Sequence, residues 1–539
     1  MLVDLVRADP RASAKVARQT LKMYMERAPP DYLVGRALQM AKKYVNGFPD
    51  KQGRQLQQIE TFFNGLGHTF TVTSVSAAEH RDVMANLAQE QRKWQKKNLS
   101  GTEPKDITQE VPQDTRFLYG WTWYPEYAER MVPTLRGVCV SDACHGRTDL
   151  RGSFFGAWGF DSNDHMICLG LAFYYDNESK ATWTLFLRGL RDHCPGLDLQ
   201  GAENTFIADG DKGFSESFKA LFGNAKRFYC CQHKKANVLR SGNTADAKAF
   251  TEAVHATTLQ TLQGAKANYS FNAQNHLKGI PDDELYLWAA QGRTWGKVSS
   301  QLAETANNTL RKCRERLPAE AFMEFFRQEQ ERLSRHRLDA AGCPRELPPK
   351  LWKRLEADIL KCTNLGWYDA EKSSNGEWVV TDRGQQFRTA LGLFDCSCGG
   401  PKVERWPCRH MLSAAKSARV DFVNLFHPLQ RTAAWRETYV AIGEVKTPAP
   451  NEVWDTQVPD LHLQLPVAGK KPRGRPPKAG NKRKLGCLEV STLKAAAERH
   501  AETVSLAAAA TRRLGRAEAM GGWGGGTSRV DHRDDCSPE

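Results

Sequence analysis

No run of apolar residues in this 539-residue chain reaches the roughly eighteen that a membrane helix needs, and Met1-Leu2-Val3-Asp4 lacks a signal-peptide pattern. A soluble, intracellular protein is therefore expected. No cysteine precedes Cys139, and the 14 that the chain holds are scattered, which argues against a secreted disulfide framework and for reduced thiols plus one metal site. Acidic charge is also short, at 62 Asp and Glu against 76 Lys and Arg. The resulting net charge of +14 favours an anionic partner of nucleic-acid type. The length exceeds one ordinary domain and suggests three or four units.

What is present centres on the stretch from Gly137 to Asn237. Asp142, in GVCVSDACHGR, and Asp209, in NTFIADGDKGF, each end a short β-prone apolar run. Carboxylates at the C-terminal ends of strands in a mixed α/β sheet sit where ligands bind, and two brought together can hold divalent metal. Between them lie strand-like runs at Ser153 to Phe160 and Met166 to Tyr175, joined by an Asp161-Ser162-Asn163-Asp164 hairpin turn. Trp183, Phe186, Leu187 and Leu190 then recur at helical steps, and Pro195-Gly196 closes that segment. After the Asp209 strand come a short helix from Phe214 to Phe222 and a fifth strand from Arg227 to Cys231. Three strands, helix, strand, helix, strand is the order of a ribonuclease H-like core, which calls for a third carboxylate from a later helix. The run from Ser299 to Pro318 offers Glu304 with Asn307 one turn away, and Pro318 as its stop. Asp149, Asp211, Glu284 and Glu315 are the competing carboxylates.

These residues together resemble the transposases of Mutator-like elements. The resemblance rests on Asp142-Ala143-Cys144, the Gly152 to Gly159 strand, Glu178 with Trp183 and Phe186, Ile207-Ala208-Asp209, Cys230 to His233, and Glu304 to Asn307. It spans roughly residues 30 to 430. It implies a transposase of DDE type that cleaves and joins DNA at terminal inverted repeats, acting on double-stranded DNA as a homo-oligomer in the nucleus, with no small-molecule substrate. In such a site two Mg2+ (or Mn2+) ions about 4 Å apart serve an in-line displacement, with Asp142 bridging them and Asp209 and Glu304 each holding one. The family places the Cys-x-x-His beside the pocket, so that His233 touches a phosphate or a flanking base. The plainer reading keeps Cys230 and Cys231 as small core residues and His233 as a cap of the next helix.

Around this core the chain divides by composition. Residues 1–130 read as a helical N-terminal region, with apolar residues at helical spacing in Ala14 to Met25, Leu33 to Tyr44 and Ala77 to Lys97, and they lack the Cys/His module that many relatives use to read their repeats. Residues 131–236 hold the first part of the core and 237–297 a helical insertion, with helices at Ala245 to Gln263 and Asp282 to Ala290 and Trp288 and Trp295 as anchors. Residues 298–340 return the third carboxylate, then continue as a charged helix from Ala319 to Arg337. In 341–430, Cys396 and Cys398, a nine-residue loop, then Cys408 and His410 look like a SWIM-type zinc finger. Three thiolates and an imidazole close a tetrahedral shell around a structural Zn2+. The tail, 431–539, contains Arg473-Gly474-Arg475-Pro476, an AT-hook-like core suited to the minor groove, and the basic run Lys482-Arg483-Lys484. Two other readings share these features: a domesticated DNA-binding regulator that does not cleave, and a nuclease acting on RNA–DNA hybrids.

Overall fold

Two strand runs that are apolar along their whole length form the middle of the protein. β4 (Ser153–Phe160) and β5 (Met166–Tyr174) bury every residue, as strands covered on both faces must. The computed structural model describes residues 2, 5, 14–22, 34–38, 40–41, 51–76, 78–80, 82–83, 115–147, 152–199, 204–210, 213–299, 310–373, 375–444, 448–459 and 463–465. Around the central pair lie β1 (Thr69–Ser76), β2 (Arg116–Tyr124), β3 (Arg136–His145), β6 (Thr205–Ala208) and β7 (Lys226–Tyr229), in the order β1-β2-β5-β4-β3-β6-β7. β3, β4 and β5 form an antiparallel meander, whereas β6 runs parallel to β3 and β7 parallel to β6. The result is a mixed sheet in an α/β fold.

Alternation along β3 divides its side chains between two layers. Val138 and Val140 join a cluster with Phe63 of one helix (Gln52–Gly65) and Phe322 and Phe326 of another (Pro318–Ala341). Cys139 faces the opposite layer, where Trp183, Phe186, Leu187 and Leu190 of the helix Lys180–His193 meet Phe218 and Trp435. We number the helices α1 (Ala14–Lys22), α2 (Gln52–Gly65), α3 (Lys180–His193), α4 (Phe214–Leu221), α5 (Cys231–Ser241), α6 (Thr244–Val254), α7 (Leu259–Ala267), α8 (Phe271–Leu277), α9 (Pro318–Ala341), α10 (Pro349–Leu365), α11 (Arg409–Ser417) and α12 (Thr432–Ile442). The four apolar positions expected on one face of α3 are all buried, and a Ser179 capping box with Thr182 starts that helix.

The β4–β5 hairpin forms where the two apolar runs place it, and its turn is a polar hub. Asp161 is fully buried and accepts from Trp435 Nε1 at 2.7 Å and Tyr439 Oη at 3.0 Å, both on α12, while also bonding the His165 backbone N–H at 2.7 Å and its ring. Asp164 takes Arg136 and Lys297, each at 2.7 Å.

Several expectations need correction. The N-terminal region is not helical throughout: β1 and β2 extend the sheet, because TFTVTSVS and RFLYGWTWY are rich in β-branched and aromatic residues that pack on a pleated surface. The fifth strand ends at Tyr229 rather than Cys231, which opens α5. Pro318 does not stop a helix but begins α9, where its missing N–H costs nothing. The helix expected over 245–263 is two, α6 and α7, since Thr258 adopts an extended backbone and caps Thr261. The stretch 282–290 is a 3₁₀ turn, Asp282–Glu284, and one helical turn, Leu287–Ala290. Helices α5 to α8 still enclose one apolar cluster, the insertion's own core, against which Trp288 packs. Among the described residues no helix is long and apolar enough to cross a membrane.

Candidate active site and metal centre

The ladder register brings the two aspartates together. Ser141 pairs with Ala208 across β3 and β6, so Asp142 and Asp209 occupy the next rung. Asp209 directly follows β6, whereas Asp142 lies within β3, which runs on beside β4 to His145 and does not end at Asp142 as expected. Ala208 in turn pairs with Tyr229, and the Cys230 N–H donates to Ala208 O at 3.0 Å, which adds Cys230 to the same row. Val140, Ile207 and Phe228 each lie two positions before the three and share one apolar cluster, so by alternation Asp142, Asp209 and Cys230 face the same layer. Neighbouring strands lie about 4.8 Å apart, which sets the scale of the cluster.

His233 completes it from the first turn of α5. Its Nε2 lies 3.9 Å from Asp209 Oδ2, with 44% of the imidazole side chain and 26% of the aspartate exposed, so the group opens to solvent. A hydrogen bond with Cys230 pulls the imidazole up to about 9, and the charges of Asp209 and Asp142 add to this against the opposing effect of burial. Asp209 Oδ1 is buried and has no hydrogen-bond partner among the described residues, as a carboxylate oxygen kept for a cation would be. Asp142 Oδ1 accepts from the Ala143 N–H at 2.9 Å.

Glu304 and Asn307 lie outside the described residues, as do Asp149 and Asp211. The chain on either side of 300–309 is fixed at the site. Val298 O accepts from the Cys231 N–H at 2.7 Å, at the end of β7. On the C-terminal side of that segment, Arg314 Nε donates to His145 O at 2.5 Å and the Arg147 N–H donates to Arg314 O at 2.6 Å, at the end of β3. These anchors bracket the end of β6, where Asp209 sits. Of the competing carboxylates, Glu315 pairs with Arg147 at 3.5 Å and Glu284 lies in the turn of the insertion. No sequence signal marks the anchors, which are two backbone contacts and one side-chain to backbone contact between distant segments.

The second constellation assembles in a small four-stranded sheet, β11 (Asp395–Cys396), β10 (Gln385–Ala390), β9 (Trp378–Asp382) and β8 (Asp369–Lys372), packed with α10 and α11. One ligand atom from each of Cys396, Cys398, Cys408 and His410 lies within 4.8 Å of the others. His410 Nδ1 is 3.6 Å from Cys396 Sγ and 3.8 Å from Cys408 Sγ. Tetrahedral zinc with bonds of roughly 2.0–2.3 Å separates its ligands by about that much, so the four residues fit a zinc ion. Asp382 Oδ2 faces His410 Nε2 at 3.5 Å and Phe387 stacks on the ring at 4.0 Å, so the imidazole is oriented from behind. The role of Asp382 is not visible in the spacing of the ligands.

Arg473, Gly474, Arg475, Pro476 and the run Lys482-Arg483-Lys484 lie outside the described residues, whereas the first part of the expected tail is the helix α12, which buries Trp435 and Tyr439. Residues 152–278 match the family model described as Transposase, Mutator family, a span that starts just before β4, contains Asp209, Cys230 and His233, and stops before Glu304. No curated protein matches the chain.

Proposed function

We infer that this chain, which carries a Mutator-family transposase domain over residues 152–278, is a transposase that cleaves DNA strands and joins them to new sites at a DDE centre. The observation that carries the reading is the shared rung of Asp142 and Asp209 on one face of parallel strands, with His233 beside them. The strand arrangement, an antiparallel meander followed by two parallel strands added next to its first member, supports a ribonuclease H-like core. Glu304 stands as the third carboxylate on its place in the Glu304 to Asn307 pattern, and the described chain on either side of it, at Val298 and Arg314, contacts Cys231 and His145.

Asp142, Asp209 and Glu304 offer the hard oxygen donors that Mg2+ or Mn2+ prefers, and the orphaned Asp209 Oδ1 fits such a role. Bound there, the metal would supply activation of a water or 3′-hydroxyl and stabilisation of the leaving oxygen. The protein's own part is to hold those carboxylates on a rigid sheet edge and to present the His233 imidazole to a phosphate oxygen of the scissile strand. The Cys396, Cys398, Cys408 and His410 group acts as a SWIM-type finger whose closed shell is structural.

The test is cleavage and strand transfer on duplex DNA bearing the element's inverted repeats, with Mg2+ or Mn2+. Asp142→Ala abolishes both reactions while leaving DNA binding intact. Unchanged cleavage in that variant would refute the mechanism. Digestion of RNA–DNA hybrids without strand transfer would instead assign a nuclease.

A further inference from the structure

Arg227 is the one residue among those described whose three guanidinium nitrogens are all buried without a hydrogen-bond partner. It sits on β7 with 3% of its surface exposed. Its Cζ lies 3.6 Å from the centre of the Tyr229 ring, against which Lys234 Nζ also rests at 4.4 Å. Gly210, the residue after Asp209, leaves room for this stack: a Cβ there would overlap both Arg227 Nη2 and the Tyr229 ring.

A buried, unpaired guanidinium is costly, and a cation–π contact returns only part of that cost. Nothing in the packing of the edge strand requires it, since an apolar side chain of similar volume would fill the space without the charge. The same residue lines a cavity of about 210 Å3 together with Lys219, Lys226, Asp283 and Glu284. Asp283 is already paired with Arg293 at 3.0 Å, so cations outnumber the carboxylates around that space. Arg227 is level with Phe206 in the ladder, about 10 Å along the strand from Asp209. By alternation it faces the other side of the sheet from Asp209, so a DNA strand that reaches both passes over the β7 edge.

We propose that Arg227 is a phosphate-binding residue, which takes one backbone phosphate of the DNA strand at the cavity beyond the β7 edge. Lys219 and Lys226 add charge around it, and Tyr229 holds the guanidinium plane in place. Arginine suits this task because its planar fork matches two phosphate oxygens and stays charged in a dry site. The proposal rests on the transposase reading and adds to it a positioning contact remote from the metals.

The experiment uses the full chain in an Asp142→Ala background, which keeps the DNA intact, and an inverted-repeat duplex carrying single neutral methylphosphonate linkages scanned on either side of the cleavage position. Arg227→Gln is expected to weaken binding of the unmodified duplex about tenfold and to reduce the salt dependence by about one counterion. One methylphosphonate position that weakens binding about tenfold when Arg227 is present has no effect on the Arg227→Gln variant. The melting temperature of Arg227→Met stays level or rises, because the variant deletes an unpaired buried charge. Equal sensitivity of both chains at every linkage overturns the proposal, and so does a large fall in melting temperature with unchanged DNA affinity. In either case cleavage by the chain with Asp142 intact shows that the transposase reading stands, whereas a chain that neither binds nor cuts DNA removes both.

Discussion

Asp142 and Asp209 carry the proposal at the scale of single residues, and their chemistry makes it testable beyond loss of activity. Asp142→Cys replaces a hard oxygen with a soft sulfur, so activity in Mg2+ is expected to fall by at least about a hundredfold, with partial recovery in Mn2+. A variant equally inactive in both ions, or equally active, would argue against metal ligation by this side chain. Glu320 gives a second residue-scale prediction. Its carboxylate lies under α2, with Oε2 accepting from Gln52 Nε2 at 2.7 Å, and burial pushes it up to about 7. The folded protein therefore holds a proton that the unfolded chain releases near its usual value of about 4.5. Stability is lost as pH rises through that window, by about 3 kcal/mol once pH exceeds 7. Glu320→Gln keeps the acceptor and removes the charge, so its melting temperature should exceed that of the parent at pH 8 and equal it near pH 4.5. An equal difference at both values would contradict the assignment.

Among the elements, the β4–β5 hairpin shows how a polar turn is used to fasten a helix. Its tip reads as a solvent turn, yet Asp161 is buried because α12 delivers Trp435 and Tyr439 as donors. Asp161→Ala leaves two buried donors unpaired, which costs several kcal/mol, of the order of 1–3 for each group. Chemical denaturation should show a lower midpoint with an unchanged slope, whereas Asp161→Asn, which keeps one acceptor oxygen, should lose less. A midpoint equal to the parent's in Asp161→Ala would mean that α12 does not depend on the turn. The insertion illustrates the same point in reverse. The helical character of 245–263 was legible, α5 and α8 were not anticipated, and the break at Thr258 follows from one side-chain cap and not from any change in apolar spacing.

For the molecule as a whole, the finger and the catalytic part meet through the insertion. Thr257 Oγ1 donates to Cys398 O at 2.9 Å, and Gly399 and Gly292 both sit where a Cβ would strike the opposing backbone, at Thr257 O and Lys402 O. Trp295 lies between Arg136 of β3 and Arg405 of the finger loop, at 5.9 and 5.5 Å. Removing zinc should therefore do more than unfold a small domain. Chelation, or Cys408→Ser, is expected to lose the near-ultraviolet signal of the finger's aromatic residues and also to raise protease sensitivity in the 255–258 connection. Sensitivity confined to 395–410 would show that the contact is incidental.

The text of the chain was enough to locate the buried hairpin, α3, the two aspartates and the Cys/His group that fits zinc, because each is encoded by short-range spacing: apolar runs, helical steps, or thiolates two apart. It could not determine what depends on segments far apart in sequence. The strands before β3, the hub at Asp161, the anchors of the 300–309 segment, Asp382 behind His410 and the unpaired Arg227 all arise from side chains or backbone groups brought together across tens to hundreds of positions. Buried polar groups take their partners from whatever the packing places within reach, and local periodicity carries no record of that choice. The pairing of Asp142 with Asp209 stands between the two cases, since the residues were readable but their shared rung was fixed only when β6 aligned with β3.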